Sequence, residues 1–142
     1  MKKVLVDMTV KEVQHVNANC VLLVMGCDEP LPETFPGQFA ELRVDGTPSV
    51  MLRRPISVHS FDAARNEVGF LVQVVGEGTR WLGSLNIGDK VNVMMPLGNG
   101  FTLPETAGKR YLLVGGGVGS APLYYLAQEL NARGCDFVIL IG

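Results

Sequence analysis

Arg54-Pro55-Ile56-Ser57 places a guanidinium and a hydroxyl on a stiffened turn, and Gly76-Glu77-Gly78-Thr79 follows further along the chain. The guanidinium can bridge phosphate oxygens through its fork of donors. Pro55 removes one backbone donor and stiffens the chain. Gly78 and Thr79 present backbone N–H groups at the start of a short helical stretch, where negative charge is favoured. The pair suits the pyrophosphate of a flavin dinucleotide, with Ser57 free to hydrogen-bond the ring edge. A second loop, Gly115-Gly116-Gly117-Val118-Gly119-Ser120-Ala121-Pro122, follows a strand pattern and precedes a helical one, the context of a nucleotide-binding turn. Pro122 stands where the common dinucleotide fingerprint has Gly or Ala, and proline is compatible with a helix start. Two such sites in this order imply electrons passing between two nucleotide cofactors.

The elements that must position these residues are mostly short strands. Residues 4–16 alternate loosely, and 20–27 form a dense apolar run of the kind expected for a strand buried on both faces. Further strands are predicted over 39–44, 56–61, 68–75 and 90–95, with Trp81, Leu82 and Leu85 at helical spacing over 79–85. Six strands and one small helix predict an antiparallel barrel of Greek-key type. The texture changes over 104–108. Residues 110–114 then read as a strand, 121–132 as a helix with Leu123, Leu126, Ala127 and Leu130 on one face, and 137–141 as a second apolar strand. That is one β-α-β unit of a Rossmann-like fold, too little for a domain, since a parallel sheet is covered on both faces. Its apolar strand and helix face expect cover from elsewhere.

The 142 residues carry a net charge of −2 and are 47% hydrophobic, enough for a well-buried core without an electrostatic footprint for nucleic acid. The N-terminal apolar stretch meets Asp7 too early for a signal peptide, and no run approaches a membrane span. A cytoplasmic protein with no membrane partner is expected. Cys20, Cys27 and Cys135 lack metal-ligand spacing and read as free thiols in a reducing compartment, so no metal site is expected. Trp81 reads as packing the small helix on the barrel, His59 as a strand hydrogen-bonder and Glu77 as solvated. No catalytic side chain is expected, because a flavin carries its own chemistry.

Five motifs in order, Pro36-Gly37-Gln38-Phe39, Arg53-Arg54-Pro55-Ile56-Ser57, Gly76-Glu77-Gly78-Thr79, Pro96-Leu97-Gly98-Asn99-Gly100-Phe101 and the Gly115–Pro122 loop, resemble the ferredoxin–NADP reductase superfamily. Within it the chain is most similar to the electron transfer subunits of NAD-dependent bacterial dihydroorotate dehydrogenases. The resemblance implies an FAD-binding barrel over 1–103 and an incomplete NAD-binding domain over 104–142. It further implies that Arg54, Pro55, Ile56, Ser57, Leu71, Val72, Gln73, Gly78 and Thr79 contact FAD. Gly115, Gly116, Gly117, Gly119 and Pro122 would contact NAD. Ile56 stands where many superfamily members stack a tyrosine on the flavin, so an aliphatic wall is expected. Electrons would pass from NADH through FAD, and through a 2Fe-2S cluster, to a catalytic dihydroorotate dehydrogenase subunit in a heterotetramer serving pyrimidine synthesis. The cluster domain has no counterpart here, and the chain reads as a piece of the family protein. The ribose-contacting acid falls at or beyond the last residue, so NAD and NADP are not separated. Alternatives are the FAD subunit of a ferredoxin:NADP oxidoreductase, sulfite reductase or hydrogenase complex, a non-enzymatic flavin-binding barrel, and a structural interaction module.

Overall fold

The computed structural model describes residues 2–105 and 108–142. Thr106 and Ala107, within the segment where the texture changes, lie outside the described residues. Six antiparallel strands close into a barrel: β1 (Val4–Asn17), β2 (Cys20–Gly26), β3 (Phe39–Leu42), β4 (Arg54–Asp62), β5 (Glu67–Gln73) and β6 (Lys90–Leu97). Their order around the barrel, β1-β2-β5-β4-β3-β6, is a Greek key, as predicted. The small helix α1 (Glu77–Gly83) lies between β5 and β6. It starts two residues earlier than predicted, because the Thr79 hydroxyl accepts from the Val75 and Gly76 N–H groups at 2.9 and 3.0 Å and fixes the first turn.

Alternation with period two fills the barrel. Met8 and Val10 of β1, Val21, Leu23 and Met25 of β2, Val68, Phe70 and Val72 of β5, and Val91, Val93 and Met95 of β6 all point inward and are buried. Strand β1 serves two partners, pairing β6 over its first half and β2 over its second, and a bulge between Val10 and Glu12 bends it from one to the other. The expectation that residues 20–27 are buried on both faces is corrected. Cys20, Leu22 and Val24 are only half-buried, since the outer face of β2 borders an open groove.

Two of the motifs are structural. Gln38, fully buried, accepts from the Phe35 N–H (2.8 Å) and donates from Nε2 to the Gly98 carbonyl (3.0 Å). The Phe101 N–H donates to the Pro36 carbonyl at 2.8 Å, close above Gly37, whose φ of 98° suits glycine. The Pro36–Phe39 and Pro96–Phe101 segments thus close on one another beside β4. Arg53 is likewise structural: its guanidinium donates to the Glu41 and Asn92 carbonyls and to Asn92 Oδ1 (2.6 Å), stitching β3 to β6.

After the barrel, β7 (Arg110–Gly115) and β8 (Asp136–Ile141) pair in parallel around α2 (Ala121–Ala132), as predicted. Leu123 and Leu130 of α2 cover Leu113 on one face of this sheet, forming a second apolar cluster. Tyr125 points the other way, into the barrel cluster, and its hydroxyl donates to the Thr34 carbonyl at 2.7 Å.

Candidate dinucleotide site

Arg54 begins β4, and its neighbour across the site is Gly78, in the first turn of α1. A Cβ added at Gly78 would stand 3.0 Å from Arg54 Cδ and 3.2 Å from Cγ, so glycine lets the arginine stem lie flat against the helix start. The fold therefore brings the two phosphate-type motifs together. One guanidinium nitrogen donates to the Leu52 carbonyl at 3.0 Å. The Arg54 Nε is buried without a partner, which is costly unless something completes the site.

Beside this pair lies a cavity of about 220 Å³. Pro55, Ile56 and Ser57 form one side, Leu71 and Gln73 of β5 the floor, and Val75 and Thr79 the rim toward α1. Val118 and Ala121, from the loop after β7, supply the far wall. A neighbouring hollow of about 330 Å³ shares Leu71, Gln73 and Val118 and continues to Gly117 and Ser120. Of the residues expected at the flavin, Val72 differs: it is fully buried in the barrel core and does not line this cavity. Ile56 lines the cavity with an aliphatic side chain. A larger cavity, about 630 Å³, lies on the outer face of β2, β4 and β5 beside Tyr124 and Gln128.

The Gly115–Pro122 loop is tight at its first glycine and open at the next three. Gly115 is buried, and a Cβ there would meet Leu123 and Ser120 at 2.8 Å. Gly116, Gly117 and Gly119 face open space, and Gly117 sits at φ 54°. The Gly117 N–H donates to the Gly142 carbonyl (2.7 Å), so the end of β8 holds the loop. Pro122 occupies the first turn of α2, where its missing N–H costs nothing.

Sequence reasoning missed the residues that join loop to barrel. His59, read as a strand hydrogen-bonder, does form a hydrogen bond from β4, but its partner was not foreseen: its Nδ1 lies 2.7 Å from the Ala121 carbonyl and its ring stacks on Tyr124 at 4.7 Å, 13° from parallel. Desolvation lowers the His59 pKa, partly offset by the Ala121 contact. Tyr125 and Thr34 gave no sequence signal, because a tyrosine on an apolar helix face reads as core. All three cysteines are free, Cys135 buried but Cys20 and Cys27 only half-buried, and burial, foremost, raises the Cys27 pKa.

No family model matches the chain. The dihydroorotate dehydrogenase B (NAD(+)) electron transfer subunit of Fusobacterium nucleatum is 42% identical over 108 residues, covering 75% of this chain and 42% of that protein. The subunit of the same name from Bacillus cereus is 44% identical with the same coverage. The chain thus spans about two fifths of the length of these curated relatives. Among solved structures, the NADH-dependent reduced ferredoxin-NADP oxidoreductase superposes with a TM-score of 0.80 at 28% identity, over 95% of this chain and 48% of that one. The ferredoxin reductase in carbazole 1,9a-dioxygenase reaches 0.85 at 22% identity, over 99% and 44%, a likeness of fold. Its barrel is thus matched by ferredoxin reductase-like structures, and three quarters of its sequence is similar to these dihydroorotate dehydrogenase electron transfer subunits.

Proposed function

We propose that the chain forms the flavin-binding part of an electron transfer subunit that passes electrons between NAD(H) and a catalytic dihydroorotate dehydrogenase subunit in pyrimidine synthesis. Residues 1–103 are the FAD-binding barrel in this reading, and 104–142 are the first part of an NAD-binding domain. The observation that carries it is Arg54, with a buried, unpartnered Nε laid against Gly78 at the side of the Pro55–Ser57 cavity.

FAD fits these residues, and when bound it supplies a ring that takes a hydride equivalent and releases electrons singly. Arg54 neutralises the pyrophosphate, and the Gly78 and Thr79 backbone N–H groups add donors at the helix start. Ile56, Leu71, Val118 and Ala121 wall the ring from water. Ser57 and Gln73, which also line the cavity, would offer hydrogen-bonding side chains to its polar edge. The loop residues Gly116, Gly117 and Gly119 leave room for a pyridine nucleotide's phosphates. A wall shared by barrel and loop favours this two-nucleotide reading over a simple flavin carrier.

A 2Fe-2S cluster does not fit the residues present. Among the described residues no group of three His, Cys, Asp or Glu could hold a metal, so no step is routed through one here. No helix among the described residues is long and apolar enough to cross a membrane.

The test is the visible spectrum of the purified chain, followed by denaturation and identification of the released flavin. Bound FAD is expected. Arg54→Ala should weaken it by roughly 10- to 100-fold, the loss of charge-assisted hydrogen bonds. A folded, colourless chain that takes up no added FAD would overturn the proposal.

A further inference from the structure

His59 sits where the β4–β5 ladder slips. Val58 pairs with Phe70 and Ser60 with Gly69, so β4 spends one residue more than its partner, and His59 is that residue. A bulge of this kind re-aims a side chain. Val58 faces the barrel interior and is fully buried, while His59 and Ser60 both line the outer groove beneath α2. Gly69 makes this possible, since a Cβ there would stand 2.3 Å from Ser60 Oγ.

Turned outward, the imidazole meets the first residue of α2. The Ala121 carbonyl can only accept, so Nδ1 carries the proton and Nε2 is the unprotonated nitrogen of the neutral ring. Tyr124 lies flat on the ring from the next turn of the helix. Ala121 therefore has two faces: its carbonyl is held by His59, and its side chain, with Val118, walls the Pro55–Ser57 cavity.

We propose that His59 is a positioning residue, setting through the Ala121 carbonyl where the Gly117–Ala121 wall stands over the dinucleotide cavity. His59 need touch neither nucleotide. It couples the strand that carries Arg54 to the loop that faces the second cofactor, so the spacing of the two sites depends on one bulged side chain. The inference rests on the reading that this cavity takes FAD, and its test separates the two.

Two variants divide the contact. His59→Phe keeps an aromatic ring for Tyr124 but has no donor, whereas His59→Asn keeps a donor near the Nδ1 position and loses the ring. Amide hydrogen exchange reads the wall without flavin, and the fine structure of the visible spectrum of added FAD reads the apolarity around the ring. His59→Phe should raise exchange at residues 117–121 by roughly 5- to 10-fold, the worth of one hydrogen bond. It should also shift bound FAD toward the spectrum of free flavin, while Arg54 still holds the cofactor. His59→Asn should restore both. Unchanged exchange and an unchanged FAD spectrum in His59→Phe would overturn the positioning role, as would equal defects in the two variants. Failure of the unsubstituted chain to bind FAD, with the exchange difference between the two variants still present, would overturn the flavin reading and leave the positioning role standing.

Discussion

The barrel and the β7–α2–β8 unit are built from strands of similar apolarity, but one closes on itself and the other does not. In the barrel every strand has two neighbours, and the inward residues of all six meet in one core. In the parallel pair, Leu113 faces α2 and is buried, whereas Leu112, Val114, Val138 and Leu140 share the opposite face and are 50–67% exposed. A parallel sheet takes cover on both faces, and here one face has it. The second unit therefore leans on the barrel, through Tyr125, Ala121 and the His59–Tyr124 stack. Its glycine loop takes its place over the cavity from that contact as much as from its own core.

The largest break of this comparison is Phe70→Ala. Phe70 is fully buried at the centre of the barrel, and its loss should cost about 3–5 kcal/mol, lowering the denaturant midpoint for all probes together. Leu113→Ala should cost about 2 kcal/mol or more but act locally, speeding exchange in β7, α2 and β8 while β2 and β5 keep their protection. Equal loss of protection in both regions would mean that the two fold as one unit and that the contrast is only architectural.

Tyr125→Phe tests the joint more gently. It leaves the Thr34 carbonyl without its buried donor, at about 1–2 kcal/mol, read as faster exchange along α2 with the barrel unchanged. Desolvation, foremost, raises the Tyr125 pKa to about 12 from 10.0. Above pH 10 the unfolded chain gives up this proton before the folded one does, so the unfolded state binds fewer protons and stability falls as pH rises from 10 toward 12. The phenylalanine variant should show a shallower alkaline decline. A decline identical to that of the unsubstituted chain would assign it to other groups.

The barrel was legible because alternation, turns and the Asp45-Gly46 and Gly88-Asp89 breaks all agree on period two. The pairing of Arg54 with Gly78 was legible from residue type, since few backbones need a guanidinium and a glycine-opened turn. The joint was not legible. Whether a histidine bonds within its sheet or across to a helix depends on a bulge, and a bulge is one residue of register that no local pattern announces. Gln38 was hidden for a similar reason: its motif carries only a resemblance, and nothing local announces that its amide closes the barrel against Gly98. Motif residues divide between those that face a ligand and those that hold the frame. Arg53 and Arg54, adjacent and alike, fall on opposite sides of that division in the proposed reading.

The smallest expected effect bears most directly on the open face. Leu112 and Leu113 are neighbours on β7, the first 64% exposed and the second 5%. If the face is bare in solution, Leu112→Thr removes apolar surface that contacts mostly water and should change stability by no more than about 0.5 kcal/mol. A penalty approaching that of Leu113→Ala would mean that Leu112 is covered, which among identical chains requires self-association. The unsubstituted protein should then melt at a temperature that rises with concentration, while Leu112→Thr should not. A small penalty with a concentration-independent melt would leave the face uncovered, with the barrel alone holding the unit in place.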